Sequence, residues 1–390
     1  MNNSFVLGAP TLPFGAPAFG TPVAQPPPTS MGPGGQPPAN TAISFAADHG
    51  GCGFWRMHWP EALINSSGKG VVTNSTMMLL DPRMYGGVKS VKIQRQVTPP
   101  QLQFVKFLRE TSNKSNKFKI YYEIDDVIFP EDIPLYNKSR EAFVDPVISK
   151  TATEIIQLCD AITCPTKYMA DYYTARTGVP AIVIPNYLPK FWIDRFYSKQ
   201  KVAENFERNK KRPRIGYVGS PTHLNVQRLP GVMDDIEPFT DIIRKTYKDY
   251  KWVFMGAVPN TIQDLVKAGE VEFVGWKSLY EYAYAFNDLN LNLAFAPLQN
   301  NKFNYAKAPI KYLEAGALGV PCLCQDAPPY NTDPVAPLRF NTPDEMMDLA
   351  KKLLRDRRMY LNESDDARKV ATNYWLEDHI EEHMKVYFPS

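Results

Sequence analysis

The feature that most constrains this chain is the alternation of short apolar runs with longer segments of helical periodicity. Thr41 to Ala47, Val71 to Leu80, Ser90 to Val97, Lys119 to Ile124, Ala161 to Cys164 and Ala181 to Ile184 read as strands, with helical patterns at Phe54 to Asn65 and Pro100 to Thr111. After a polar, basic stretch the alternation resumes with Arg214 to Val218, Trp252 to Met255, Val271 to Val274, Asn290 to Pro297 and Val320 to Cys324. Strands separated by helical crossovers pair in parallel, so the expected fold class is α/β, with two Rossmann-like, doubly wound domains facing a central cleft. The expected boundaries are an N-terminal domain over 41–196, a linker over 197–212, a C-terminal domain over 213–370, and a last helix over 371–390 crossing back to the first domain.

Composition matters at three points. Residues 1–40 carry no charged side chain and are dominated by Pro, Gly, Ala and Thr, too few bulky apolar groups to offset chain entropy, so a disordered tail is expected. It lacks the basic start and apolar stretch of a secretory signal, and no window elsewhere is long and apolar enough for a membrane span. The five cysteines, Cys52, Cys159, Cys164, Cys322 and Cys324, are odd in number and lack metal-site spacing, which favours free thiols in a reducing, cytoplasmic setting.

The clusters able to do chemistry lie just after strands, where ligands of such sheets gather. Gly50, Gly51 and Gly53 permit close backbone approach to a phosphate or sugar, or simply form a tight turn, with His49 and Arg56 beside them as candidate acceptor or donor contacts, or as plain surface side chains. Asp125 and Asp126 end the run YYEIDDVIF; there they bond sugar hydroxyls, orient an acceptor, hold a divalent metal, or cap the next turn. The Gly219-Ser220 turn, with His223 and Arg228 downstream, suits a pyrophosphate met by backbone amides and a guanidinium. Pro309 marks a helix start, Lys311 and Glu314 fall inside the helix, and Gly319-Val320-Pro321 ends it. A helix N-terminus favours a diphosphate, and a carboxylate further along accepts two hydrogen bonds from a ribose diol.

Net charge is only +3, but from Arg83 to Lys119 nine Lys and Arg residues face the single acid Glu110. That run is either a solvated face or a field suited to an anionic partner such as nucleic acid, with Lys114, Lys117 and Lys119 its candidate contacts.

The segments HGGCGFWRM, YYEIDDVIF, VIPN, IGYVGSPTHL and FNYAKAPIKYLEAGALGVP together resemble a retaining GT-B glycosyltransferase of the family-four type, in its phage and bacterial branch. The resemblance covers most of the chain from Ser44 onward. It implies a nucleoside-diphosphate sugar, UDP-linked, as the donor, with no required cofactor and a divalent metal as an option. Gly51 to Gly53 would approach the diphosphate from one domain, and Gly219, Ser220 and Arg228 from the other. Lys307 and Lys311 would add charge and Glu314 would grip the ribose. Many family members carry a second glutamate eight residues before the ribose-binding one, where this chain has Ala306 between Asn304 and Lys307.

The resemblance implies front-face displacement, with Arg228, Lys307, Asp125 and Asp126 as the catalytic candidates. The phage branch and the basic run together point to double-stranded DNA carrying 5-hydroxymethylcytosine as acceptor, in host cytoplasm, with Phe54, Trp55, Trp59 or Tyr85 either stacking on an extruded base or packed in the core. The alternatives are a polysaccharide or protein acceptor, and a non-catalytic nucleic-acid-binding protein on the same scaffold.

Overall fold

A computed structural model describes residues 40–390, so the tail expected over 1–40 lies almost wholly outside the described residues. The described chain forms two compact units, neither one continuous stretch: unit 1 holds residues 40–125, 141–184 and 380–390, and unit 2 holds 126–140 and 185–379.

Unit 1 is built on β1 (Thr41–Phe45), β2 (Val71–Asn74), β3 (Val88–Gln94), β4 (Lys119–Glu123), β5 (Ala161–Cys164) and β6 (Ala181–Val183). They form one parallel sheet in the order β2-β1-β3-β4-β5-β6. Central strands covered on both faces leave no polar side to water, and Ser90 to Gln94 of β3 are all buried. The strand expected over Val71 to Leu80 stops at Asn74, because the Ser75 hydroxyl accepts from the Met77 amide and turns the chain out. Met77 and Leu80 beyond that turn are exposed. The helix Pro99–Thr111 starts where its sequence signals place it, with prolines in the first turn and a reciprocal Thr98/Gln101 capping box.

Unit 2 is built on β7 (Arg214–Gly219), β8 (Lys251–Gly256), β9 (Glu272–Val274), β10 (Leu293–Ala296), β11 (Cys322–Gln325) and β12 (Arg339–Phe340). Their order is β12-β11-β10-β7-β8-β9, again parallel. The core gathers Tyr217, Trp252, Phe254, Phe295 and Leu323 with Phe340 of β12, a strand of two residues too short to leave a periodic signal. Residues 197–212, expected to be a linker, instead hold the helix Lys199–Arg208, whose Val202 and Phe206 enter this core. Its many charges lie on the solvent side of an amphipathic stripe that the basic composition concealed.

The helix Ile310–Ala317 packs closely on Arg357–Thr372, and the closeness depends on Gly316. A Cβ there would lie 2.6 Å from the Ala367 carbonyl oxygen and 3.3 Å from the Ala371 methyl. Alanine is ordinarily the better helix former by about 1 kcal/mol, so a loss on substitution isolates the packing. Gly316→Ala is expected to destabilise unit 2 by about 1–3 kcal/mol, read as a lower urea midpoint at unchanged slope. An unchanged or raised midpoint would show that the two helices separate freely.

Candidate functional site

In a doubly wound sheet a crevice opens where successive strands leave in opposite directions. In unit 2 that point lies between β7 and β10, which pair side by side while the chain moves to β8 from one and to β11 from the other. β7 ends at Gly219, and β10 ends at Ala296. The segments beyond these ends contain Ser220, His223 and Arg228 on one side and Asn304, Lys307, Lys311 and Glu314 on the other.

Asp235 ties the two segments together. Its carboxylate, 1% exposed, accepts from His223 Nδ1 at 2.6 Å, the Gln299 amide at 2.7 Å, Asn304 Nδ2 at 2.8 Å and the Tyr136 hydroxyl at 2.8 Å. Burial pushes its pKa up, but the His223 hydrogen bond and the other donors hold it below the usual carboxylate range. The neighbouring Asp234 caps the turn that follows, accepting from the amides of Asn225, Ile236 and Glu237.

Lys311 and Glu314 stand three residues apart on Ile310–Ala317, on one face of the helix and close to its start. Pro309 at the N-cap contributes no side-chain hydrogen bond. Burial, with the charge of Lys307 nearby, brings the Lys311 ammonium down to about 8, against the pull of Glu314 and Asp235. Burial lifts Glu314 to about 7, opposed by the Tyr282 hydroxyl, which donates to Oε2 at 2.7 Å, and by Lys311. Tyr282 is held in turn by stacking on Trp192, with centroids 5.5 Å apart and planes 7° from parallel. Lys307 lies 3.7 Å from Asp126 and 4.1 Å from the centre of the Phe303 ring.

The remaining unit 2 candidates divide. Gly219 must lack a Cβ, which would fall 2.5 Å from the Tyr217 hydroxyl. Ser220 exchanges a 2.6 Å hydrogen bond with Thr222. Arg228 is exposed, with a left-handed backbone (φ 56°) and its guanidinium 3.4 Å from Asn260 Oδ1. His223, expected to donate to a diphosphate, is instead 4% exposed, and both its ring nitrogens face protein groups, Asp235 and Lys311.

Unit 1 has its own switch point, between β1 and β3. Asp48 organises the loop after β1, accepting from the amides of Gly50 at 2.8 Å and Gly53 at 3.1 Å and pairing with Arg95. Gly53 is required because a Cβ would run into the Asp48 carbonyl, whereas at Gly51 the same space is open. His49 stacks on His58 with centroids 5.1 Å apart. Asp125 Oδ1 lies 3.8 Å from Arg95 Nε.

Arg56, expected to meet an acceptor, is instead fully buried, with Nε 2.6 Å from Glu123, which also pairs with buried Lys92 at 2.8 Å. Tyr85 and Trp59 are likewise core side chains rather than stacking platforms, with the Tyr85 hydroxyl donating to the Leu79 carbonyl.

The basic run is largely compensated. Arg83 pairs with Asp81, Lys106 with Glu154, Arg109 and Lys119 with Asp160, and Lys114 with Glu110, while Lys92 is inside the sheet. Lys117 is exposed, with φ 43°. Exposed pairs such as Lys114–Glu110 contribute little and exchange readily, but they weaken the field at a distance.

Among the described residues no group of three or more His, Cys, Asp or Glu is placed to hold a metal ion. Among the same residues no helix is long and apolar enough to cross a membrane, and all five cysteines are unpaired thiols.

Asp235, Tyr136 and Tyr282 were absent from the sequence-based candidates. Asp234-Asp235 carries the signal that Asp125-Asp126 does, a pair of acids beside an apolar segment, but it follows no recognisable strand.

No family model matches the chain, and no curated protein matches it in sequence. Solved structures do match in fold. Sucrose-phosphate synthase from Thermosynechococcus elongatus superposes with a TM-score of 0.58 at 11% identity, covering 89% of this chain and 98% of that one. HepE from Anabaena, in complex with UDP and glucose, gives 0.55 at 11% identity over 88% and 98%. A glycosyltransferase from Rickettsia africae gives 0.55 at 9% identity over 89% and 97%. With its two six-stranded parallel sheets, the chain therefore has the GT-B fold of these glycosyltransferases.

Proposed function

We propose that this chain is a retaining glycosyltransferase that moves a sugar from a UDP-sugar to an acceptor hydroxyl. The observation that carries this reading is the placement of Lys307, Lys311 and Glu314 beyond the ends of β7 and β10, where an α/β sheet receives its ligand. A helix start with two ammonium groups suits a diphosphate, and a buried carboxylate one turn along suits a ribose diol. The neighbour HepE holds UDP and glucose, which supports the donor class.

As the glycosidic bond breaks, negative charge grows on the leaving diphosphate, so groups that meet it more strongly in the transition state raise turnover. Lys307 and Lys311 have that role in this reading, and exposed Arg228 reaches the same diphosphate from the loop after β7. Asp126, 3.7 Å from Lys307, holds that ammonium near the site in the free protein. Turnover of UDP-sugars with and without a chelator tests the donor reaction and its metal dependence together.

For the acceptor we infer 5-hydroxymethylcytosine in DNA, supported by the resemblance of the motif set and by the exposed lysines Lys114, Lys117 and Lys119. Mass analysis of nucleosides from hydroxymethylated DNA incubated with a panel of nucleotide sugars tests it directly. Replacing the three lysines by glutamine is expected to weaken DNA binding and to lower its dependence on log salt by about two to three, leaving UDP-sugar hydrolysis unchanged. Pairing of most other cations in that run favours a second reading, a neutral polysaccharide or protein hydroxyl. Transfer to DNA unaffected by the triple change would move that reading ahead.

A further inference from the structure

We infer that His223 is a positioning residue that fixes the Lys311 ammonium for the diphosphate, and that Asp235 sets the tautomer it needs. The inference rests on the nucleotide-sugar reading above and adds to it a role for two buried residues that themselves touch no substrate.

The argument begins at Asp235, whose carboxylate is charged and collects four donors. One of them is His223 Nδ1 at 2.6 Å, and a carboxylate there requires that nitrogen to carry the proton. Burial and the adjacent Lys311 charge hold the imidazole neutral, pushed down to about 3. A neutral ring protonated on Nδ1 leaves a lone pair on Nε2, and Nε2 lies 3.3 Å from Lys311 Nζ. Lys311 has three N–H donors, so one bond to His223 fixes the ammonium and leaves two for phosphate oxygens. The same lone pair gives an acceptor to an ammonium that burial and Lys307 bring down and that Glu314 and Asp235 hold up.

The pocket gives this arrangement little freedom. Lys311 faces Lys307, Glu314, Asp235, Cys322 and His223, with the Tyr217 ring 5.8 Å below. Asn304, beside the position where related enzymes carry a second glutamate, bonds both Asp235 and the Tyr136 hydroxyl. That amide therefore closes the base of the cluster.

UDP affinity measured by calorimetry between about pH 6 and 9 tests the assignment. In the wild type, affinity should rise as Glu314 ionises near 7 and fall as Lys311 loses its proton near 8. His223→Leu removes the acceptor, so the alkaline limb should move down by about one pH unit, with a loss near tenfold at neutral pH. His223→Gln, which retains an acceptor near the Nε2 position, should restore most of both, while Glu314→Gln should abolish the acid limb and, by removing a charge that supports the Lys311 ammonium, also lower the alkaline one. An unmoved alkaline limb in His223→Leu, with wild-type affinity, overturns the inference. Nitrogen-15 spectra of the wild type without ligand give an independent check, since a proton on Nε2 in place of Nδ1 would overturn it too. Failure of the wild type to bind UDP at any pH would instead remove the nucleotide site and this role with it.

Discussion

Glu123→Gln is expected to cost unit 1 about 3–5 kcal/mol, the largest single effect anticipated in this chain. Glu123 is fully buried and accepts from Arg56 at 2.6 Å, Lys92 at 2.8 Å and the Thr163 hydroxyl at 2.6 Å. Two cations thus depend on one carboxylate, and none of the three side chains is exposed to solvent. Burial pushes Glu123 up, yet Arg56 and Lys92 together hold it below the usual range, so the native state favours the charged form. Its contribution is present above the unfolded pKa and is lost as pH falls through the depressed native one. The amide keeps the shape and removes the charge, and the melting transition should fall by on the order of 10 °C. Replacing Arg56, Lys92 and Glu123 together by apolar residues should recover most of the loss, because no unpaired ion then remains. A Gln variant that melts with the wild type would show that water reaches the cluster.

Glu314→Gln is expected to act in opposite directions on stability and on ligand binding. Burial raises the carboxyl from 4.5 to about 7, so the favourable neutral form is lost as pH rises through 7. At pH 8 the charged side chain therefore destabilises the ligand-free protein by about 3 kcal/mol, and the amide removes that cost. Below pH 4.5 both states carry the proton, and the gain should vanish. UDP, in contrast, should bind about 30-fold more weakly, since the charged acceptor for the ribose diol is gone. Thermal melts at pH 4 and pH 8 beside UDP calorimetry separate the two effects. A variant neither more stable at pH 8 nor weaker for UDP would mean that Glu314 is a packing residue.

The contrast between these two carboxylates shows what the sequence made legible. Glu314 sits in a local pattern, a helix start, a cation three residues earlier and a Gly-Val-Pro stop, so local rules placed it on Ile310–Ala317. Eleven of the strands also emerge from period and length, because buried parallel strands are short apolar runs. Glu123, Arg56 and Lys92 meet across 67 and 31 positions of chain, and nothing near Arg56 in sequence announces a buried partner. The compensation of the basic run was hidden for the same reason, since Glu154 and Asp160, which pair with it, arrive from a later helix and the turn that follows it. Asp235 is the same case inside the candidate site, reached by Tyr136 from 99 residues away.

The interleaving of the units bears on how the chain is made. Tyr387 donates to Glu61, and its carbonyl accepts from Ser90, so the last residues complete a sheet whose strands are synthesised first. Unit 2 has residues 126–140 in hand early but gains the partner of Tyr136 only when Asp235 appears. The Tyr387 ring packs with Ala42, Ile64 and Val72, so that small apolar cluster is incomplete until residue 387 has been made. Completion of unit 1 is thereby tied to residues 380–390, which follow the whole of unit 2 in sequence.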